Sequence, residues 1–184
     1  MESLTVKDIM LPLEEYVTVD KEATLYEAMQ KLDESYKALP EGAFHHRAVL
    51  VADKNGNIVG KVGHSAFLKA LEPKYKKIAN FDNLAGTGVN SDVVQSMMEE
   101  FRLWDDDLSS ICRRTETIKI KEVMHPFDEN IDENAPVMEA VHKLVSWNSL
   151  SLLVTREGKA VGILRLSDLY YRLTRYIKQV CHKQ

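Results

Sequence analysis

The sequence predicts an α/β (α+β) chain: two copies of a β-α-β-β-α unit packed together, with a helical insert between them. Three observations carry this prediction. Segments recur in the same order, the two copies share helical stripes, and a hairpin signal follows each stripe. Val6-Lys7-Asp8-Ile9-Met10 returns as Ile120-Lys121-Glu122-Val123-Met124. The run from Ala23 to Leu32 returns from Ala135 to Leu144, and Asp53 to Gly60 returns as Thr155 to Gly162. Ordered self-similarity of this kind is the mark of a repeat architecture. The separation between copies falls from 114 to 112 to 102 positions. The first copy therefore carries two extra residues between Met10 and Ala23 and ten between Leu32 and Ala52, which surface connections tolerate at small entropic cost.

Each copy opens with a short strand, and a helix follows. Leu25, Ala28, Met29 and Leu32 stand at i, i+3, i+4 and i+7, one face of a helix, and Val137, Ala140, Val141 and Leu144 repeat that stripe. Thr24 with Glu27 makes a capping box, and Pro136 suits a first helical turn. Next comes an apolar strand, Ala48 to Ala52 or Leu150 to Val154. The turns Lys54-Asn55-Gly56 and Arg156-Glu157-Gly158 lead into a second strand, Ile58 to Val62 or Ala160 to Leu164. A last helix begins near Ser65 in the first copy and near Ser167 in the second, where each serine can cap it. A unit of this size buries too little surface alone, so the copies are expected to share their packing.

The copies occupy residues 4–71 and 118–178, and the insert spans 72–117. In the insert Val94, Met97, Met98 and Phe101 share one helical face, and Trp104, Leu108 and Ile111 continue the apolar content. Such a stripe must be covered, by the rest of the chain or across a dimer.

At 184 residues, 45% hydrophobic and 28% charged, the composition is that of a globular chain. A net charge of -4 supplies no global basic field for nucleic acid, so no nucleic-acid partner is expected. No apolar run approaches the roughly 18 residues that span a bilayer, and the first residues lack a secretory layout. A cytoplasmic location without a membrane partner is the expectation. Cys112 and Cys181 have no metal-ligand or disulfide spacing and read as reduced thiols, Cys112 semi-buried. His45-His46 near Glu41 lacks the further ligands of a zinc site and reads as a loop pair. Gly86-Thr87-Gly88 lacks the ending of a phosphate loop, and Asp105-Asp106-Asp107 reads as a solvated helix end. With no nucleophile and paired base, no metal cluster and no cofactor loop, an enzyme is not expected.

The order of elements, the Ile-Met or Val-Met ending of the segment before the first strand, and the Gly with an apolar pair after each hairpin resemble the cystathionine-β-synthase (CBS) repeat. The tandem resembles a Bateman module. The second copy carries the motif better, in Val161-Gly162-Ile163-Leu164-Arg165-Leu166-Ser167-Asp168-Leu169. The resemblance implies a non-catalytic regulatory module that commonly dimerises and holds adenosine-type ligands in the cleft between repeats. AMP, ADP, ATP, S-adenosylmethionine or a dinucleotide would serve as a regulatory ligand rather than a cofactor.

The resemblance also implies site residues. Asp168 stands where an acidic residue grips ribose hydroxyls, and it also reads as a first-turn carboxylate beside Ser167. Arg165 replaces a hydroxyl residue that meets phosphate; it suits phosphate by fork-like hydrogen bonds, or is a solvated strand end. His125-Pro126 stands in the linker that lines the adenine pocket, or is a plain turn, and Leu164 and Ser167 complete the candidate set. In the first copy the equivalents of Arg165 and Asp168 are Gly63 and Ala66, so at most one site per chain is expected. Leu50 and Leu152 stand where the family has a proline. The competing expectation is a structural module that has kept the fold, lost the ligand and binds a protein partner.

Overall fold

A computed structural model describes residues 4–38, 45–71, 91–100 and 107–181. The first repeat contains β1 (Leu11–Pro12), β2 (Thr18–Asp20), α1 (Leu25–Ala38), β3 (Ala48–Ala52), β4 (Ile58–Gly63) and α2 (His64–Leu71). The insert contributes α3 (Ser91–Glu100) and α4 (Leu108–Thr117). The second repeat follows the first in β5 (His125–Pro126), β6 (Asn130–Asp132), α5 (Val137–Ser146), β7 (Ser151–Arg156), β8 (Lys159–Arg165) and α6 (Leu166–Cys181). The predicted capping box is present: Thr24 N–H donates to Glu27 Oε2 at 2.6 Å, and Glu27 N–H donates to Thr24 Oγ1 at 3.1 Å. Both hairpins turn through a glycine in the left-handed region, Gly56 at φ +82° and Gly158 at φ +78°, where other residues are strained.

The strands form two four-stranded sheets, ordered β1-β8-β7-β6 and β2-β3-β4-β5. Each sheet therefore takes its fourth strand from the other repeat. β1 lies antiparallel on β8, Leu11 opposite Ile163, and β5 lies antiparallel on β4, His125 opposite Lys61. The segments leading into these strands are exchanged as well. Val6 N–H donates to Ala135 O, and Val6 is fully buried in the second repeat's core. Ile120 N–H donates to Ala23 O, and Ile120 is fully buried in the first repeat's core. The recurring five-residue segment is thus a clasp that each copy lends to the other.

The clasps explain the glycines of the motif. A Cβ on Gly162 would stand 2.6 Å from Leu11 O and 2.9 Å from Met10 Sδ, and one on Gly60 would stand 2.7 Å from His125 O and 3.0 Å from Met124 Sδ. The methionine that ends each clasp lies over the glycine of the opposite repeat.

Strand alternation divides the interior into three cores. Val19, Val49, Val51 and Val62 point toward α1 and α2, packing on Leu25, Ala28, Leu32 and Phe67. Ile131, Leu152, Val154 and Leu164 do the same beneath α5 and α6. The opposite faces meet between the sheets, where Tyr16, Leu50, Leu153 and Ile163 are buried against Leu11, Leu13, Ile58 and Phe127. Fully burying one such aliphatic side chain stabilises by about 1.5–3 kcal/mol, so this middle layer fastens the repeats together.

The structure departs from four sequence expectations. The sheet register aligns Leu50 with Leu153, because Thr18 pairs Leu50 and Asn130 pairs Leu153. Leu152 instead matches Val49 and faces the second core. One of the ten extra residues lies in the first hairpin tip, which shifts the strand correspondence by one. Helices α2 and α6 begin at His64 and Leu166, so Ser65 and Ser167 lie within first turns rather than at caps. Cys112, expected to be semi-buried, is exposed on α4.

In the insert, α4 packs on α1 and α2. Asp107 caps it by accepting from Ser110 N–H at 2.6 Å, and Arg114 Nη2 donates to Leu71 O at 2.7 Å. Met98 on α3 is half-buried. The side chains of Val94, Met97, Phe101 and Trp104, with Glu41, Gly86–Gly88, Asp105 and Asp106, lie outside the described residues, as does the side chain of Cys181.

Candidate functional site between the repeats

At the end of β8 the chain passes from strand to helix within three residues. Arg165 shares the face of β8 that Ile163 presents to the inter-sheet layer, whereas Leu164 points the other way and is fully buried in the second core. Three residues on, in the first turn of α6, Asp168 meets the arginine. Arg165 Nη2 donates to Asp168 Oδ1 at 2.8 Å, and Nε donates to Oδ2 at 2.5 Å. The pair is well enclosed, with side-chain exposures of 13% and 15%. The helix N-terminus also favours the carboxylate.

The first repeat supplies the other wall. His46, in the loop before β3, is buried, and its Nδ1 lies 3.5 Å from Arg165 Nη1. Its ring packs against Tyr16, centroids 4.5 Å apart at 58°. Burial, and then the Arg165 charge, hold the His46 pKa below the ordinary histidine value. Burial likewise pushes the Tyr16 hydroxyl up to about 12. β1 completes the surroundings, since Leu11 pairs with Ile163 two residues before Arg165.

At the pseudo-symmetric position on the first repeat, Lys61 faces His125 as Ile163 faces Leu11. Lys61 Nζ donates to Ser151 O at 3.1 Å and to Ser149 Oγ and Ser151 Oγ at 3.3 Å each. Glu129 Oε2 is 3.7 Å away, and the Phe127 ring centroid lies 5.0 Å from Nζ. Burial lowers the lysine pKa against the opposing pull of Glu129. A cation of the first repeat thus fills this junction with partners from the second. Gly63 and Ala66 bring no polar side chain there.

The structure brings Arg165 and Asp168 together, with Ser167 between them in the first helical turn. It separates them from the remaining candidates. His125 and Pro126 are exposed and pair with Lys61 and Gly60, on the sheet opposite Arg165 and Asp168. The clasp exchange is the reason: the linker before the second repeat serves the first repeat's sheet. The linker beside Asp168 is the first repeat's own, Leu11 to Leu13. Leu164 presents its side chain to the core and not to the junction. Sequence reasoning missed Tyr16, His46 and Lys61. Lys61 alone had a visible signal, a charge inside the apolar run Ile58 to Val62.

Among the described residues, no group of three or more His, Cys, Asp and Glu is placed to hold a metal. No helix among them is long and apolar enough to cross a membrane.

No curated protein sequence matches the chain significantly. Solved structures share its fold. The CBS domain of a CBS domain-containing membrane protein from Sphaerobacter thermophilus is 18% identical, with TM-score 0.60 over 92% of this chain and 87% of that one. The CBS-pair protein CBSX2 from Arabidopsis thaliana is 19% identical, with TM-score 0.59 over 96% of this chain and 98% of that one. CBSX2 in complex with AMP is 20% identical, with TM-score 0.59 and coverages of 93% and 97%. The CBS domain model matches residues 6–73 and 120–175, which are the two repeats with their clasps. The chain accordingly belongs to the CBS domain family, as a tandem pair of the regulatory, non-catalytic kind.

Proposed function

We propose that this CBS pair is a ligand-sensing module that binds one adenosine-containing compound per chain at the second-repeat junction. The observation that carries this reading is the enclosed Asp168 carboxylate. Arg165 occupies one lone pair on each oxygen, and a carboxylate has about four acceptor sites. Two therefore remain, one on each oxygen, the arrangement that accepts a vicinal ribose diol. The AMP complex of CBSX2, a protein of the same fold, supports the ligand class.

The same site explains how binding can regulate. Tyr16 and His46 belong to the first repeat, and Arg165 and Asp168 to the second. A ligand held by all four has an affinity that depends on the relation of the repeats, and only such differential affinity shifts a conformational equilibrium. The competing reading, a ligand-free partner-binding module, is favoured at the first junction alone. There Lys61 takes up the space, and a ribose hydroxyl buried against Ala66 would lack an acceptor, at about 1–3 kcal/mol.

Calorimetry with adenosine compounds tests the assignment. The expected stoichiometry is one per chain, and Asp168→Ala should weaken binding by at least about tenfold, or about 1.4 kcal/mol. A ligand at a hundredfold its Kd should also raise stability by about 2.7 kcal/mol. Two equal sites per chain, or indifference to Asp168→Ala, would refute the assignment. Failure of every adenosine compound to bind would leave the partner-binding reading.

A further inference from the structure

Arg165 is engaged before any ligand arrives. A guanidinium holds five N–H donors in a fixed planar fork. In Arg165 one edge of that fork, Nε with Nη2, is closed on both oxygens of Asp168, and Nη1 points toward His46 Nδ1. The ion pair sums to zero charge and is mostly enclosed. A phosphate brought to this arginine would either displace Asp168 from its bidentate contact or lie within a few ångströms of that carboxylate. In the first case the diol acceptor loses its orientation, and in the second two anions repel in a partly desolvated site, where screening is weak. His46 adds no fixed positive charge, because burial and then the Arg165 charge lower its pKa.

Resting on the reading of this junction as an adenosine site, we propose that its ligand is an adenosine derivative without a 5′-phosphate. The class comprises adenosine and nucleosides whose 5′ substituent carries no negative charge, and Arg165 is a positioning residue that fixes the Asp168 carboxylate for the ribose. The specificity follows from the spacing of two residues. The cation stands three positions before the acid at the strand-to-helix corner, and the two side chains close on one another.

The test is calorimetry on the full chain with adenosine, AMP and ATP at low and high salt. Adenosine should bind at least as tightly as AMP and about tenfold or more tighter than ATP, and the AMP affinity should not weaken with salt beyond that of adenosine. A double-mutant cycle then separates positioning from general support of the fold. Arg165→Met should weaken adenosine about tenfold in the natural chain but have no further effect in the Asp168→Ala background, since it acts through that carboxylate. AMP binding more than about threefold tighter than adenosine, with the advantage lost at high salt, would overturn the proposal while leaving the adenosine site intact. Full additivity of the two substitutions would overturn the positioning role. If none of the three compounds binds, the adenosine reading falls and this inference with it. The comparison among ligands uses the unaltered protein, so it stands even if Arg165→Met does not fold.

Discussion

Gly162→Ala places one methyl group where β1 crosses β8. Its Cβ would stand 2.6 Å from Leu11 O, and ordinary contact begins near 3.4 Å, so the crossing strand must retreat by about 0.8 Å. The obstacle is a backbone carbonyl, which no rotamer change can remove. Met10 Sδ, at 2.9 Å, must yield as well. Overpacking of this kind costs about 1–3 kcal/mol, and weakening one pairing hydrogen bond between Leu11 and Ile163 adds about 1 kcal/mol. A total near 2–4 kcal/mol is expected, read as a lowered urea midpoint at constant slope. Gly158→Ala is the control: it meets nothing within 4 Å but sits at φ +78°, so left-handed strain of about 1–2 kcal/mol is its whole cost. Gly60→Ala, at 2.7 Å from His125 O, should behave like Gly162→Ala. A Gly162→Ala loss under about 0.5 kcal/mol, the range of an ordinary surface change, would show that the clasp is not held as closely as described.

Other outcomes follow from the buried polar groups and the outer helices. The His46 pKa is lowered in the folded chain, by burial and then by Arg165, so the unfolded chain takes up its proton first, near pH 6.5. Stability should fall on acidification from about that pH down to the folded pKa, and His46→Gln should flatten that part of a pH series of urea melts; an unchanged slope would place the ring in solvent. Lys61, its pKa lowered by burial, should titrate below the exposed lysines when followed by the NMR shift of its Cε, and co-titration with them would contradict its enclosure. On α6, Tyr170, Tyr176, Ile177 and Val180 are exposed. Covering them against a second copy gives a homodimer, so light scattering should return twice the 21.0 kDa chain mass, and a strictly monomeric mass would count against it.

Much of the fold was legible because it is written locally. The stripe of Leu25, Ala28 and Leu32 and its copy at Val137, Ala140 and Leu144 lie under the sheets as their spacing requires. Met29 is the exception: it lies at the margin of the stripe and is 40% exposed. The site was legible in part. Asp168 and Arg165 stand together as a three-residue spacing at a strand-to-helix corner allows, but their mutual ion pair was not foreseen, because each was weighed against a ligand and not against the other. His46 carried no sign of burial, lying in a loop beside a second histidine.

What the sequence by itself determined is the content of each repeat: which residues form strand or helix, which face is apolar, and that the unit occurs twice. These follow from periods of 2 and 3.6 residues, and a period identifies the buried face without identifying what covers it. Only the tertiary structure decided the pairing across more than a hundred residues. Val6 is buried in the second repeat and Ile120 in the first, although either clasp would satisfy the same apolar pattern at home. That exchange sets Tyr16 and His46 beside Asp168, and sends His125 and Pro126 to the opposite sheet. The physical reason is that the clasp and its glycine groove are nearly identical in both copies, so the choice between them rests on chain connectivity and packing rather than on local chemistry.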